Sequence, residues 1–429
     1  MNTTNTLKNI WHPFTQMKTA SPPIYITHAK DSILYAANGK KYIDAIASWW
    51  VNIHGHCNKK IAAAIASQAS TLEHVIFAGF THTPAIQVAQ QLIDILPNTF
   101  SKIFFSDDGS TSVEVALKMA IQYWSNKGFK NKTTIIAFEN AYHGDTFGAM
   151  SIAARNEFNA AFNPYLFEVK RIPIPTNKNI NAVKKQLQAW VAEGNVTAFI
   201  FEPLVQGAAG MQMYTAAHLD ALIAIAKKQQ VLCIADEVMT GFGRTGKNFA
   251  IEYLQHTPDI ICLSKGITGG FMALGVTACT PQIFDAFYAN ETAKTFFHGH
   301  SYTANPLACA AANASIALLV KANCQQKINY ITQQHQLFAA TINNHAYVKN
   351  VRQCGTILAI ELNTKESSSY FNAVKDTVYD YFLSKGIILR PLGNIIYIMP
   401  PYCIKKTELN KIYAAITDGL DYFYSIICK

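Results

Sequence analysis

Three groups of polar residues that could do chemistry follow short apolar runs. Asp236 lies near the end of the run VLCIADE, Lys265 ends DIICLSK, and the turn Gly109-Ser110-Thr111 comes shortly after KIFFS. A lysine that ends a buried strand is partly desolvated, which lowers its pKa and makes its amine a usable nucleophile. A buried carboxylate needs a cationic partner, and a Gly-Ser-Thr turn at a helix start can bind an anion.

Each of these features alone has an ordinary explanation: a helix cap, an ion pair or a lysine that reaches the surface. Their combination is more informative, because one cofactor needs all three. Pyridoxal phosphate requires an amine for its aldehyde, an acid for its ring nitrogen and a site for its phosphate. We therefore predict a pyridoxal-phosphate site built from these strand ends.

The elements that must position these residues form an alternating pattern. Short apolar runs ended by polar residues are typical of buried parallel strands, and segments with helical spacing lie between them. This alternation predicts an α/β doubly wound sheet, in which ligands bind where strands end and helices begin. We expect a helix from about Val113, with Thr111 and Glu114 at capping-box spacing. The predicted strands are KIFFS, TTIIAF, TAFIFEP, VLCIADE and DIICLSK.

The two ends of the chain have a different pattern from the centre. The segment PPIYITHAKDSILYAANGKKYIDA resembles a hairpin, and VRQCGTILAIEL and ILRPLGNIIYIMP alternate like strands of a smaller α+β unit. We therefore predict a large cofactor-binding domain over 51–322. Residues 1–50 and 323–429 would together form a smaller domain beside it.

Composition excludes several classes of protein. The 429 residues are 50% hydrophobic and 15% charged, which excludes a disordered scaffold. The net charge of +9 is diffuse and includes only five Arg, so nucleic-acid binding is not expected. Nine Cys without a CxxC pair are typical of reduced thiols, and neither a secretory signal nor a membrane span is visible. We expect a cytoplasmic protein that does not bind a membrane.

A glycine-rich run offers an alternative of another class. GFGRTGK, which starts at Gly241, matches GxGxxG and nearly matches a Walker A motif, but Asn248 lacks the hydroxyl that binds magnesium. Asp259 lies 18 residues after Gly241, yet it begins a strand, whereas the ribose-binding acid ends one. A nicotinamide-dependent oxidoreductase stays an alternative. No metal site is expected, because the HxH pairs lack a third ligand at ligand spacing.

The run IADEVMTGFGRTGKNFA, followed by PDIICLSKGITGG, resembles the signature of the class III aminotransferases. Further runs, among them ASWWVNIHGH, YHGDTFGAMS and HGHSYTANPLACAAANAS, extend the resemblance over nearly the whole chain. It implies a fold type I pyridoxal-phosphate transferase, with a mostly parallel central sheet, helices on both faces and a smaller α+β domain. It also implies a homodimer with the active site at the subunit interface.

The resemblance implies roles for the residues that match the family's cofactor site. Lys265 would bind the cofactor covalently, and Asp236 would hold its ring nitrogen. Gly109 and Ser110 would hold its phosphate. Tyr142 would stack on the ring and also touch the substrate.

Further matching positions would contact the substrates or come from the partner subunit. Gly299, His300 and Ser301 would reach the site from the partner, with the Ser301 hydroxyl on the phosphate. Trp49 and Arg390 would contact substrate, and Arg390 would hold the carboxylate of the amino acceptor.

Two departures within the family favour one branch of it. Many class III enzymes with ordinary amino donors carry an Arg at the position of Tyr397, where it pairs with the acid equivalent to Glu202. Many also carry Gln at the position of Met239. Both differences favour the branch that moves the amino group of S-adenosylmethionine to 8-amino-7-oxononanoate in biotin biosynthesis, by a ping-pong scheme. Tyr397 would then belong to the substrate site.

Three other departures concern that branch itself. Phe14 occupies a position where a tyrosine hydroxyl often contacts substrate, so a hydrogen bond is lost there. His300 replaces a frequent Pro, and Ser301 replaces a frequent Thr but keeps its hydroxyl. Another class III aminotransferase, with lysine or a diamine as amino donor, therefore stays an alternative.

Overall fold

The computed structural model describes residues 9–364 and 372–427. Its strands are β1 (Ile26–Lys30), β2 (Ile33–Ala36), β3 (Lys41–Asp44), β4 (Lys102–Ser106), β5 (Thr134–Phe138), β6 (Lys170–Ile172), β7 (Val196–Phe201), β8 (Val205–Gln206), β9 (Gln212–Met213), β10 (Leu232–Asp236), β11 (Ile260–Leu263), β12 (Gly275–Cys279), β13 (Val348–Cys354), β14 (Ile357–Leu362), β15 (Ile387–Ile388) and β16 (Ile395–Ile398).

Helices separate most of these strands. The α-helices are α1 (Lys59–Ala69), α2 (Thr83–Ile95), α3 (Gly109–Asn126), α4 (Phe147–Ile152), α5 (Ile180–Ala192), α6 (Ala216–Lys228), α7 (Pro281–Asp285), α8 (Pro306–Leu319), α9 (Ala322–Ile342), α10 (Val374–Ser384) and α11 (Lys406–Ile427). Short 3-10 helices cover Ala160–Tyr165, Ala250–Tyr253, Lys265–Thr268 and Thr292–Lys294. A four-residue turn at Ala47–Trp50 belongs to the site.

The central sheet has seven strands in the order β4-β12-β11-β10-β7-β5-β6. Its strands run in one direction except β12, which is antiparallel to both of its neighbours. The carboxyl ends of β4, β5, β7, β10 and β11 therefore meet at one edge of the sheet. In open α/β sheets this edge is where ligands bind.

Alternate residues of each central strand enter two different apolar cores. In β10, Leu232 and Ile234 pack into the core that contains α3, whereas Cys233 and Ala235 pack into the core on the other face. Both faces are buried because helices cover both, so the strand sequence reads as a continuous apolar run. This explains why the run VLCIADE is apolar until its carboxyl end.

Both ends of the chain contribute to smaller sheets. β15 pairs in parallel with β3 and completes a four-stranded sheet in the order β1-β2-β3-β15. A second, antiparallel sheet has the order β13-β14-β16. The boundaries predicted near 50 and 322 stay a prediction, and residues 1–8, 365–371 and 428–429 of the predicted small domain lie outside the described residues.

The structure differs from the sequence-based expectations at two places in the central unit. Helix α3 begins at Gly109 rather than near Val113, and its N-cap is Asp108, whose carboxylate accepts from the Thr111 N–H. Thr111 thus lies inside the first turn as the second half of the capping box. The antiparallel strand β12 was also not predicted, because its sequence GVTAC contains Gly and Thr and is not a continuous apolar run.

Among the described residues, no single helix has the length and hydropathy needed to cross a membrane. Helices α8 and α9 have the required length and hydropathy only when taken together, and they meet at a 70° bend.

Candidate active site

A cavity of about 710 Å³ opens at the carboxyl edge of the central sheet. Five of the residues predicted for the cofactor site line it together, although they follow four different strands. The residues are Gly109, Ser110, Tyr142, Asp236 and Lys265. The topology brings them together because parallel strands end at the same edge.

Lys265 enters the cavity directly after β11. Its backbone has a φ of 40°, a conformation that L-residues adopt rarely. Burial lowers the pKa of its amine, while the charges of Asp236 and Glu202 act in the opposite direction and only partly offset burial. The Lys265 amine lies 5.0 Å from the ring centroid of Trp50. A buried amine with a lowered pKa is suited to react with a carbonyl.

Asp236 ends β10 and is held by two donors. Its Oδ2 lies 2.7 Å from Nδ1 of His143, and its Oδ1 accepts the Val238 backbone N–H at 3.0 Å. Because a carboxylate accepts, His143 carries its proton on Nδ1. The other ring nitrogen, Nε2, is buried and has no hydrogen-bond partner among the described residues. The sequence analysis missed His143, although it directly follows Tyr142 in the run YHGDTFGAMS.

The first turn of α3 forms a cradle with Gly144. A Cβ on Gly144 would lie 2.2 Å from the Ser110 hydroxyl, and one on Gly109 would lie 2.5 Å from a methyl group of Val238. The Ser110 hydroxyl also lies 2.8 Å from that of Thr146. Helix N-termini carry N–H groups without intrahelical partners, and they favour anions. Glycine at these two positions therefore allows Val238 and Ser110 to pack closely at the start of α3, where the free N–H groups favour an anion.

Tyr142 and Glu202 occupy the side of the cavity between β5 and β7. Glu202 accepts the backbone N–H groups of Tyr142 at 3.0 Å and Gly207 at 2.9 Å. Burial raises the pKa of Glu202 to about 7, and the charge of Asp236 adds to the increase. The pKa of the Tyr142 phenol is also raised, by burial and then by Asp145. The Tyr142 hydroxyl therefore stays protonated.

Of the residues predicted to contact substrate, Tyr142 and Lys265 line the cavity, whereas Phe14, Trp49, Arg390 and Tyr397 are not part of its lining. The Phe14 and Trp49 rings are 5.5 Å apart in an edge contact, and the Arg390 guanidinium lies 4.8 Å from the Trp49 centroid. Trp50 does line the cavity. We call Phe14, Trp49 and Trp50 the aromatic wall. Tyr397 is 1% exposed and lies behind Trp50, whose indole N–H donates to the Tyr397 hydroxyl at 3.1 Å.

The segment 299–301 does not reach the cavity of its own chain. His300 Nε2 lies 3.9 Å from Asp107 Oδ1, while Ser301 is exposed. This placement leaves the predicted roles of Gly299, His300 and Ser301 dependent on a second subunit.

The glycine-rich run has a structural role. Arg244 is buried, and its guanidinium donates to the backbone carbonyls of Trp50 at 3.0 Å and Pro400 at 2.9 Å. After Gly246 the chain forms the 3-10 helix Ala250–Tyr253. A dinucleotide fingerprint requires an α-helix at that point, so the nicotinamide alternative is wrong.

Comparison with known proteins decides the family. The sequence profile described as "Aminotransferase class-III" matches residues 15–420. The chain belongs to this family. It is 47% identical to the adenosylmethionine-8-amino-7-oxononanoate aminotransferase of Synechococcus elongatus, over 96% of this chain and 98% of the relative. It is 37% identical to the protein of the same name from Helicobacter pylori, over 97% and 96% of the two chains.

Solved structures agree with this family. A crystal structure of adenosylmethionine-8-amino-7-oxononanoate aminotransferase from Methanocaldococcus jannaschii superposes with a TM-score of 0.91 and 34% identity, covering 97% of this chain and 99% of that one. An omega transaminase from Pseudomonas jessenii superposes with a TM-score of 0.93 at 24% identity, covering 100% and 99%. The latter confirms the fold alone.

The cofactor of this class III aminotransferase is pyridoxal 5'-phosphate, and the cavity fits it. Gly109, Ser110 and Gly144 line the cavity at the start of α3, where N–H groups without intrahelical partners suit a phosphate. The amine of Lys265 and the carboxylate of Asp236 share one cavity and interact electrostatically. These are the anion site, amine and acid that the cofactor requires.

Proposed function

We propose that this class III aminotransferase moves the amino group of S-adenosylmethionine to 8-amino-7-oxononanoate and so forms 7,8-diaminononanoate in biotin biosynthesis. The observation that carries the proposal is the 47% identity to the Synechococcus elongatus protein over nearly the full length of both chains. Tyr397 and Met239 support it, because neither provides the charged or amide group that many class III enzymes use for an ordinary amino-acid donor.

The cofactor supplies a ring that absorbs the charge left when a proton leaves the carbon next to an amine. Asp236 would keep a proton on the ring nitrogen, and His143 holds the Asp236 carboxylate in place. Ser110 and the first turn of α3 would bind the phosphate.

Lys265 has the two properties that proton transfer requires. Its amine is buried, which lowers its pKa and favours the neutral form that can accept a proton, and it lies in the same cavity as Asp236, where the cofactor would bind. It would move the proton between the substrate carbon and the cofactor. Tyr142 and Trp50 would exclude water from this transfer.

The two substrates would use the cavity in turn. Arg390 would bind the acceptor carboxylate in two places, with Trp49 packed against its guanidinium. Tyr397 would act through Trp50, because its hydroxyl holds the indole N–H. Phe14 would pack at the edge of the aromatic wall without a hydrogen bond to substrate.

We further propose that the active unit is a homodimer. Gly299, His300 and Ser301 would complete the phosphate site of the partner, since they do not line the cavity of their own chain. This follows the pattern of the family.

Absorption spectra in separate half-reactions test the substrate assignment. We expect S-adenosylmethionine alone to convert the visible band of the bound cofactor to that of its amino form, and 8-amino-7-oxononanoate to reverse the change. Lysine and a diamine are the comparison donors. Conversion by either of these but not by S-adenosylmethionine would overturn the proposal and favour a different donor.

A further inference from the structure

Four consecutive residues, Ala47–Trp50, have the backbone of a left-handed helical turn without a glycine. Their φ angles are 49°, 45°, 68° and 76°. The Trp50 N–H donates to the Ile46 carbonyl, four residues back, at 2.9 Å. L-residues disfavour this conformation because Cβ approaches the following carbonyl oxygen, and they adopt it singly rather than in turns. Such strain persists only where surrounding contacts enforce it, and it concentrates at functional sites.

Asp44 makes the side-chain contacts that hold the first half of the turn, while the Arg244 guanidinium donates to the Trp50 carbonyl at its end. Its Oδ1 accepts the backbone N–H groups of Ile46 at 3.3 Å and Ser48 at 3.0 Å. Its Oδ2 accepts the Ser48 hydroxyl at 2.7 Å and His56 Nε2 at 2.8 Å. The remaining nitrogen of His56 lies 3.0 Å from the Asn52 amide, which donates to it. The tautomer of His56 is thereby fixed with its proton toward Asp44.

Asp44 is charged although it is fully buried. Burial raises the pKa of its carboxyl, but the hydrogen bonds from His56 and Ser48 outweigh burial and leave the pKa below its usual value. A buried charge with four donors is a rigid anchor, because losing any donor leaves the carboxylate undersatisfied. Asp44 does not line the cavity.

The turn decides where two indole rings lie. Trp50 has its ring centroid 5.0 Å from the Lys265 amine, and Trp49 has its centroid 4.8 Å from the Arg390 guanidinium. The direction of Cβ follows the hand of the backbone. A relaxed turn would therefore move both indoles away from these two cations.

We propose that Asp44, oriented by His56, is a positioning residue for amino transfer: it holds the left-handed turn and so fixes Trp50 beside Lys265 and Trp49 beside Arg390. The inference rests on the proposed function only for the identity of the substrates. Asp44 acts on both ends of the substrate site through the two tryptophans. Trp50, beside Lys265, would affect the rate of proton transfer, and Trp49, beside Arg390, would affect binding of the acceptor.

The test compares Asp44→Asn with wild type, both loaded with cofactor, by hydrogen exchange and by kinetics. We expect exchange of the peptide 45–52 to rise at least about tenfold, while exchange in the central strands is unchanged. We also expect kcat to fall by roughly 10–100-fold, the loss typical of a small misplacement. KM should rise for the acceptor more than for the donor.

Asp220→Asn is the matched control. Asp220 also accepts two backbone N–H groups, from Gln255 and His256, and lies 2.9 Å from a ring nitrogen of His256. It is remote in sequence from the turn and does not line the cavity. We expect this variant to keep the kinetics of wild type, whatever stability it loses.

Three results would overturn the inference for Asp44→Asn: kinetics equal to wild type, unchanged exchange in 45–52, or a rise in exchange spread evenly over the chain. If this variant does not fold, Ser48→Ala decides, because it removes only the hydroxyl donor to Asp44. We expect about a threefold to tenfold loss of acceptor kcat/KM with faster local exchange, and wild-type values would overturn the inference. A wild-type enzyme inactive with S-adenosylmethionine would overturn the proposed function instead, while the exchange results would still decide this inference.

Discussion

The floor of the cavity and its aromatic wall are built from different kinds of backbone. The floor, formed by Gly109, Ser110, Asp236 and Lys265, is placed by the ends of parallel strands, which are buried on both faces. The wall depends on the turn Ala47–Trp50, where a left-handed backbone costs roughly 1–2 kcal/mol per residue. In the proposed function, the floor would carry the chemistry common to the family, and the wall would distinguish substrates.

The largest effect is expected from the floor, with Lys265→Ala. This variant removes the amine that binds the cofactor and moves the proton, so we expect the loss of kcat to reach or exceed about 10⁴-fold. Borohydride reduction followed by peptide mapping should label Lys265 in wild type. Lys247→Ala is the control, because Lys247 belongs to the glycine-rich run and is solvent-exposed. A label on any other lysine would contradict the assignment.

Asp236→Asn should give the next largest loss. The variant keeps the volume of the side chain but removes the charge beside His143, and we expect kcat to fall roughly 10²–10³-fold. The absorption band of the bound cofactor should change as well, since its ring nitrogen would lose its proton. Asp259→Asn, at the opposite end of the neighbouring strand, should keep both the rate and the band. Equal losses in the two variants would show a structural role only.

The difference between floor and wall also explains what the sequence could predict. Asp236 and Lys265 could be located because a polar residue that ends an apolar strand is visible in the sequence, and strand direction then brings such residues together. Their supports could not be located in this way. His143 contacts Asp236 across 93 residues, and only the fold brings them within hydrogen-bond distance.

The residues of the wall were predicted from the family resemblance, but their backbone geometry was not. Nothing in the sequence ASWW signals a left-handed turn, because the turn is enforced from Asp44 and His56 rather than by a glycine. Tyr397 was expected to contact substrate, but β16 places it behind Trp50. Local propensity could not show this, since the orientation of a residue on a strand depends on the sheet that it joins.

Glu202 lies between the floor and the wall. The pH dependence of unfolding tests whether burial raises the pKa of its carboxyl. A carboxyl whose pKa is raised from 4.5 to about 7 on folding contributes stability that is fully present below about pH 4.5 and lost as pH rises through about 7. The equilibrium constant for unfolding would rise by up to roughly 300-fold over this pH range. Glu202→Gln should remove this pH-dependent contribution to stability, measured by urea unfolding at pH 5 and pH 8.

Glu237 provides the control for this measurement. Burial also raises the pKa of Glu237 to about 7. Its carboxyl accepts hydrogen bonds from the Thr240 hydroxyl and the Ile251 backbone N–H and does not line the cavity. Glu237→Gln should change the pH dependence of stability by a similar amount. An unchanged slope in Glu202→Gln would mean that this carboxyl is ionised in the folded protein.

Arg390→Ala tests the wall directly. A guanidinium that binds a carboxylate in two places contributes about 1.5–3 kcal/mol, so we expect kcat/KM for the oxononanoate to fall roughly 10–100-fold. The loss for S-adenosylmethionine should be several times smaller. Arg155→Ala is the control, because Arg155 donates to the backbone carbonyls of Met150 and Phe167 and does not line the cavity. Equal losses for the two substrates would remove the assigned role.

Phe14→Tyr should give the smallest effect and is the finest probe of the wall. It adds one hydroxyl to a ring that is half exposed and packs edge-on against Trp49. A neutral hydrogen bond contributes about 0.5–1.5 kcal/mol, so a gain in kcat/KM of about twofold to tenfold is expected for one substrate and none for the other. Phe147→Tyr, also exposed, is the control for adding a phenol. Because Phe14 is not among the residues that line the cavity, a change in the absorption band of the bound cofactor would contradict the separation of the two regions.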